Sequence, residues 1–178
     1  MTSSTTQTGQ SSFFSSCPKP QHENDVFLSF RGEDTRHNFT DHLYHALKDK
    51  GFITFKDDEE IELGYSISPK LSNAIEKSRI AIIILSKNYA SSTWCLEELV
   101  KIVKCMNGGL IVLPIFYHVD PSHVRHQNET FAVAFEEHEK RFQENLDQVQ
   151  IWRDALTVVA NLTGKILMSG YHLLIFFY

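Results

Sequence analysis

The segment "RIAIIILS" (residues 79–86) decides how the rest of the chain is read. Its apolar residues follow one another without the alternation of apolar and polar side chains that marks a strand with one solvated face. A strand of this composition is buried on both faces, which is typical of a parallel sheet. The segment therefore predicts an α/β protein in which helices cover both sides of a central parallel sheet.

Strand-like and helix-like segments alternate around this segment. Short apolar runs predict three further strands, namely "DVFLSF" (25–30), "FITF" (52–55) and "LIVLPIFY" (110–117). Between the strands, apolar residues at helical spacing predict a helix that ends at Gly51, one that begins at Pro69, and one that runs through "STWCLEELVKI" (92–102) to about Cys105. This repeated alternation predicts a three-layer sandwich with four clear parallel strands and helices on both faces.

The carboxyl ends of parallel strands meet at one edge of such a sheet, and ligands bind at that edge. The turn Arg31–Asp34, the loop Asp57–Ser68 and the start of the helix that contains Glu98 all follow strands. We therefore expect these three segments to converge, with "VDPSHVRHQ" (119–127) on the same side.

The composition of the chain narrows the class of protein to which it can belong. Its 178 residues, 42% hydrophobic and 22% charged, are ordinary for one globular domain. A net charge of −5 argues against a nucleic-acid-binding surface, and no apolar run approaches transmembrane length. Three cysteines without metal-type spacing indicate a reduced cytosolic or nuclear protein. Residues 1–22, rich in Ser and Thr, predict a disordered leader, with a plastid address as the minor alternative.

Two clusters of metal-ligand residue types do not predict a metal site. His118, His123 and His126 share one loop without Cys or carboxylates at ligand spacing, so a solvated loop is the better interpretation. Asp57 and Asp58 lack the further Asp and Lys that a phosphate-accepting receiver domain would need.

The adjacent glutamates Glu97 and Glu98 fall on different faces of their predicted helix. Glu97 can pair with Lys101 one turn later, which predicts a solvated position. Glu98 lies between Trp94 and Ile102 at i−4 and i+4, in a partly apolar stripe. A carboxylate against an indole in a cleft is a candidate functional group, and a surface glutamate beside a packing tryptophan is the alternative.

Three long segments together resemble one family. They begin with "DVFLSFRGEDTRHNFTDHLYHAL" (25–47), continue through the strand and helix motifs up to "STWCLEELVKI", and end with "LPIFYHVDPSHVRHQ" (113–127). In this order they are similar to the plant Toll/interleukin-receptor (TIR) domain of immune receptors and TIR-only proteins, over residues 23–164. The resemblance implies a flavodoxin-like fold with five parallel strands.

The resemblance also implies an activity and its residues. Family members act as NAD(P)+ nucleosidases when self-associated, and their essential glutamate corresponds to Glu98. Phe30, Arg31, Gly32 and Trp94 correspond to residues around the dinucleotide. The family uses NAD+ or NADP+ as a substrate and holds no permanent cofactor. Arg31 would meet the pyrophosphate or a partner's backbone, or else form a structural link to Glu33 or Asp34. TIR–TIR homo- or hetero-oligomers form through the first helix, where Asp41 and His42 occupy interface positions.

The chain departs from the family in three places. The loop "DDEEIELGYS" (57–66) carries acids, including Glu62, where the family has bases, and Asn128-Glu129 replaces a common Thr-Gly. After residue 164 we expect a divergent apolar tail (165–178) in which "SGYHLL" (169–174) forms the fifth strand. The final helix is expected to be missing, which would expose apolar sheet surface.

These departures leave three hypotheses open. The first is a NAD+ nucleosidase in plant innate immune signalling, with Glu98 as the catalytic residue. The second is a non-catalytic adaptor or decoy that binds other TIR immune receptors. The third is a truncated product with little stable fold.

Overall fold

The computed structural model describes residues 22–57 and 67–168, and these residues alternate between strands and helices along the chain. The strands are β1 (Asn24–Phe30), β2 (Thr54–Lys56), β3 (Ser78–Leu85), β4 (Ile111–Tyr117) and β5 (Lys165–Leu167). The helices are α1 (Gly32–Thr35), α2 (Asp41–Asp49), α3 (Pro69–Glu76), α4 (Thr93–Met106), α5 (Pro121–His126), α6 (Thr130–Arg141) and α7 (Leu146–Ala160). A π-helical turn (Arg36–Thr40) precedes α2, and a 3₁₀ turn (Tyr89–Ser91) precedes α4.

The five strands form one sheet with the order β2-β1-β3-β4-β5, and every neighbouring pair is parallel. The order reverses direction at β1, which pairs with β2 on one side and with β3 on the other. Helices lie on both faces, so the predicted flavodoxin-like three-layer sandwich is confirmed.

The fifth strand lies earlier in the chain than predicted. β5 begins directly after Gly164, and Lys165 is in register with Ile115 of β4. A side chain at position 164 would place its Cβ 2.5 Å from the carbonyl oxygen of Pro114, so this close approach requires glycine. The segment "SGYHLL", where the fifth strand was predicted, lies outside the described residues.

Two other sequence interpretations need correction. The segment after β1 is helical rather than an open turn, because the carbonyl of Arg31 accepts hydrogen bonds from the amides of Asp34 (3.1 Å) and Thr35 (3.2 Å). β2 starts at Thr54 instead of Phe52, and Ile53 is 61% exposed. The chain thus passes from β1 into α2 through continuous helical turns, which fixes the direction of α2.

Each face of the sheet has its own core. On one face, α3, α4 and α7 pack against the larger cluster, whose biggest buried side chains include Phe27, Tyr89, Phe135 and Trp152. On the other face, α2 packs Leu43 and Leu47 onto β1 and β3. Beyond α2 on that second face, the β4 residues Ile111 and Leu113 are 55% and 43% exposed, so part of the sheet carries apolar surface there.

Several sequence features lie partly or wholly outside this description. The leader falls outside it apart from His22, as do residues 58–66 of the acidic loop and residues 169–178 of the tail.

Within residues 22–57 and 67–168, no helix has the length and apolar character needed to cross a membrane. The same residues contain no group of three His, Cys, Asp or Glu side chains that could hold a metal ion.

Glu129, one of the two residues that depart from the family pattern, precedes α6 with φ 54° and ψ −125°. This region of backbone conformation favours glycine and costs other residues about 1–3 kcal/mol. We expect Glu129→Gly to raise the free energy of unfolding by about 1 kcal/mol, after the entropy cost of glycine is included. Urea denaturation would measure the gain. Glu129→Ala removes the same carboxylate without relieving the backbone, so an equal gain in that variant would contradict the explanation.

Candidate functional site

The carboxyl end of β1 carries the first group of predicted site residues. Phe30 is buried in the core that α2 covers, and the guanidinium carbon of Arg36 lies 5.4 Å from the centre of its ring. Arg31 is only 8% exposed, and its Nη2 lies 2.9 Å from Oε2 of Glu33. Gly32 is buried at the start of α1. The structural link predicted as one alternative for Arg31 is therefore made with Glu33.

Asp34 joins helix α1, which follows β1, to the loop after β3. Its carboxylate accepts hydrogen bonds from the hydroxyl of Ser86 (2.5 Å) and from the amide nitrogen (3.0 Å) and side-chain nitrogen (2.8 Å) of Asn88. These bonds hold α1 and the loop after β3 together at the carboxyl edge of the sheet. A cavity of about 510 Å³ opens at this edge, with walls that include Glu33, Asp34, Lys87 and His118.

Glu98 lies in the second turn of α4, a helix that Ser92 caps by accepting a hydrogen bond from the amide of Cys95. The Glu98 side chain is 4% exposed, and its Oε2 accepts a hydrogen bond of 2.8 Å from the hydroxyl of Ser29 in β1. The Ser29 hydroxyl is also 2.8 Å from the Tyr89 hydroxyl. Glu98 is therefore a buried carboxylate supported by polar groups, rather than a surface glutamate.

A second contact connects α4 to the end of β1. The thiol of Cys95 donates a hydrogen bond to the carbonyl of Phe30 (3.5 Å). Trp94, the neighbour of Cys95, is half-buried and packs against the core on the same side of the sheet as α4. The segments that carry Phe30, Trp94 and Glu98 thus meet at the carboxyl edge, as predicted.

Glu97 is not the solvated residue that its spacing predicted. Its Oε1 accepts hydrogen bonds from Gln148 (2.8 Å) and from the indole nitrogen of Trp152 (2.9 Å), both on α7. Burial raises the pKa of Glu97 above its ordinary value, while the two hydrogen bonds and nearby Lys104 act in the opposite direction. Lys101, the predicted partner, instead pairs with Glu76. Glu97 joins α4 to α7.

The predicted interface residues lie at the start of α2. Asp41 is half-buried, and its carboxylate is 3.2 Å from Nζ of Lys56 and 3.7 Å from Nε2 of His45. The hydrogen bond from Lys56 holds the pKa of Asp41 below its usual range. His42 is exposed on the same helix. The surface of α2 thus presents an acidic group next to histidines.

Sequence reasoning missed Ser29 and Tyr89, which support Glu98. A signal for Ser29 was available, because it is the one hydroxyl in the apolar strand "DVFLSF". A buried hydroxyl needs a hydrogen-bond partner. Together, the fold and the site define a flavodoxin-like α/β domain with a buried glutamate beside the carboxyl edge of its sheet.

Comparisons with known proteins give the family. A family model described as "TIR domain" matches residues 23–173. The chain is 56% identical over 142 residues to the TMV resistance protein N of Nicotiana glutinosa, covering 79% of this chain and 12% of that protein. It is 55% identical over 151 residues to the disease resistance protein RPV1 of Vitis rotundifolia, covering 84% of this chain and 10% of that protein. The chain belongs to the TIR domain family.

A solved structure agrees with this assignment. The TIR domains in the activated Roq1 resistosome, which directly recognises the pathogen effector XopQ, match this fold with a TM-score of 0.77 and 55% identity. The match covers 83% of this chain and 90% of the solved chain. The present chain spans about a tenth of the length of the curated relatives it matches.

Proposed function

We propose that this chain is a NAD+ nucleosidase that acts in plant immune signalling when it self-associates. The observation that carries the proposal is the position of Glu98, a buried carboxylate that Ser29 contacts from the end of β1. Similarity to plant disease resistance proteins supports the signalling context. The reaction would cleave the nicotinamide–ribose bond to nicotinamide and ADP-ribose, or to cyclic or rearranged nucleotides.

A single carboxylate is enough for this reaction. The nicotinamide of NAD+ is a cationic pyridinium, so the electron pair of the broken C1′–N bond leaves with the nitrogen and the departing nicotinamide is neutral. The leaving group needs no proton, unlike that of an ordinary glycoside. Positive charge develops at C1′ of the ribose, and the Glu98 carboxylate would stabilise it. Water then adds to C1′ and releases a proton, or another atom of the nucleotide adds to give a cyclic product.

We assign the other substrate contacts to Phe30, Arg31, Gly32 and Trp94. A guanidinium is suited to the pyrophosphate of NAD+ or NADP+. The present partner of Arg31, Glu33, is 70% exposed, and an ion pair with such an exposed partner is weak enough for the substrate to displace. The dinucleotide is a substrate in this proposal, and no cofactor is held permanently.

Self-association would use the surface of α2 with Asp41 and His42. Both residues lie at the start of the helix, and His42 is exposed. The TIR domains of the activated Roq1 resistosome, which is itself an assembly, support a homo- or hetero-oligomer of TIR domains. We place the activity in the reducing cytosol or nucleus, where Cys95 and Cys105 stay free thiols.

A non-catalytic adaptor or decoy that binds other TIR proteins through α2 is the second candidate. The contacts of Asp41 with Lys56 and His45 favour it, because they fix the Asp41 side chain on the surface of α2 that would bind a partner. In this case α2 would be functional and Glu98 would only stabilise the fold.

Nicotinamide release decides between the two candidates. The purified protein is incubated with NAD+, and in parallel with NADP+, over a range of protein concentrations and on a crowding surface. The nucleosidase proposal expects release that rises more steeply than the protein concentration, because activity requires association. Absence of release under every assembly condition, together with specific binding to a second TIR domain, would overturn it in favour of the adaptor.

A further inference from the structure

A chain of buried hydroxyl groups leads from Glu98 to residues that are fully buried. It begins with the hydrogen bond from Ser29 to Oε2 of Glu98 (2.8 Å) and continues to the Tyr89 hydroxyl (2.8 Å). It ends at the carbonyl oxygen of Cys95, 3.2 Å from the Tyr89 hydroxyl. We propose that Ser29 and Tyr89 are positioning residues that hold the Glu98 carboxyl group for catalysis through this chain, an inference that rests on the proposed nucleosidase function.

All members of this hydrogen-bonded chain of groups are held by rigid elements. Ser29 is 0% exposed in β1, which is paired on both sides, and Tyr89 is 0% exposed in the turn that leads into α4. The carbonyl of Cys95 belongs to the first turn of α4 itself. These hydrogen bonds therefore connect α4 to β1 at two points, through the Glu98 side chain and through the backbone at Cys95.

The two hydroxyl groups can form hydrogen bonds with Glu98 in both of its protonation states. When Glu98 is ionised, the two hydroxyl groups supply two hydrogens for three contacts, so the Tyr89 hydrogen is shared between Ser29 and the Cys95 carbonyl. When the carboxyl group takes up a proton, it can donate to Ser29, Ser29 can donate to Tyr89, and Tyr89 can donate to Cys95. Both states keep the same positions of the heavy atoms, so Glu98 can accept or release a proton without moving.

Tyr89 can remain a hydrogen-bond donor in both protonation states of Glu98. Burial, with further contributions from Cys95 and Glu98, raises the pKa of Tyr89 well above its ordinary value, so its hydroxyl group stays protonated. Ser29 stands between Tyr89 and Glu98 in the chain, which means that Tyr89 acts on the carboxyl group through Ser29. We call this action of Tyr89 on Glu98 through Ser29 the relay. Two independent packing contacts would not make the effect of Tyr89 depend on Ser29.

The kinetic test uses Ser29→Ala, Tyr89→Phe and the double variant, each of which removes hydroxyl groups and keeps the carbon framework at that site. Under conditions that give nicotinamide release, Ser29→Ala is expected to lower kcat about 10-fold and Tyr89→Phe about 3-fold, with KM unchanged. The double variant is expected to equal Ser29→Ala, because the hydrogen-bonded connection from Tyr89 to Glu98 is broken once Ser29 is lost. Fold-changes that multiply, or that appear in KM instead of kcat, would overturn the relay.

A titration tests the same relay without any turnover. The side-chain carboxyl carbon of Glu98, labelled with ¹³C and assigned by its loss in Glu98→Gln, is followed by NMR across pH. Removal of a donor to the ionised form should raise its titration midpoint by about 1 pH unit in Ser29→Ala, with no further rise in the double variant. An unchanged midpoint would overturn the relay. If the wild-type protein released no nicotinamide, the nucleosidase proposal would fail while this titration still decided the relay.

Discussion

Glu98→Gln is expected to lower kcat for nicotinamide release by about 10³-fold, because the amide cannot neutralise the positive charge that develops at the ribose. The substitution keeps the size of the side chain and an oxygen that can accept the hydrogen bond from Ser29. The variant should therefore fold and associate like the wild-type protein. The loss should appear in kcat at saturating NAD+, measured by nicotinamide release at a protein concentration that supports assembly.

Glu97→Gln is the matched control, since it makes the same chemical change one residue earlier. The Glu97 carboxylate accepts hydrogen bonds from Gln148 and Trp152, and a glutamine oxygen can still accept them. We expect this variant to keep kcat within about 3-fold of the wild-type value, as a residue outside the reacting site should. Alanine would be a poor control at position 97, because it would leave the indole N–H of Trp152 without its acceptor. Equal losses in the two glutamine variants would show that Glu98 has no special role.

Trp152→Ala is expected to lower the free energy of unfolding by about 3–5 kcal/mol, the usual cost of removing a large aromatic side chain from a core. Trp152 is 0% exposed, and its ring packs edge-on against His138 (5.2 Å between centroids) and Phe142 (5.1 Å). Its indole nitrogen also donates to Glu97. The variant would therefore leave a cavity between α4 and α7 and remove one of the two hydrogen bonds that the Glu97 carboxylate accepts from α7. Urea denaturation followed by circular dichroism would measure the loss.

Trp94→Ala provides the comparison, because the two tryptophans are assigned different roles. Trp94 is only half-buried at the start of α4, so its removal should cost less stability than the removal of Trp152. If Trp94 contacts the dinucleotide as proposed, the same variant should raise KM for NAD+. A loss of stability as large as that of Trp152→Ala, with KM unchanged, would assign Trp94 to the core.

Three of the five strands were predictable because burial on both faces produces a run of apolar residues that can be recognised locally in the sequence. β1, β3 and β4 were each expected from an uninterrupted apolar run, and the structure places them within one residue of the predicted bounds. β5 was misplaced because three residues give little local signal. Its position depends on the close approach of Gly164 to Pro114, which lies far away in the sequence.

The two glutamates show the same limit within the site. Helical spacing separated Glu98 from Glu97 correctly, but it assigned Glu97 to solvent because only near neighbours were considered. The actual partners, Gln148 and Trp152, belong to α7, a helix that the sequence analysis did not assign. Glu76 on α3 likewise takes the lysine expected to pair with Glu97. Tertiary packing, which local periodicity does not report, decided these contacts.

The order of the strands also determines how the sheet can assemble during synthesis. β1 leaves the ribosome first, and each later strand then joins an edge that already exists, so none has to insert between two paired strands. The growing chain is least protected after β4 is complete, because residues 118–164, the longest segment between successive strands, must be made before β5 can cover its open edge. An unpaired apolar edge is a site of aggregation for nascent chains. Chaperone binding is therefore expected to matter most in this interval of translation.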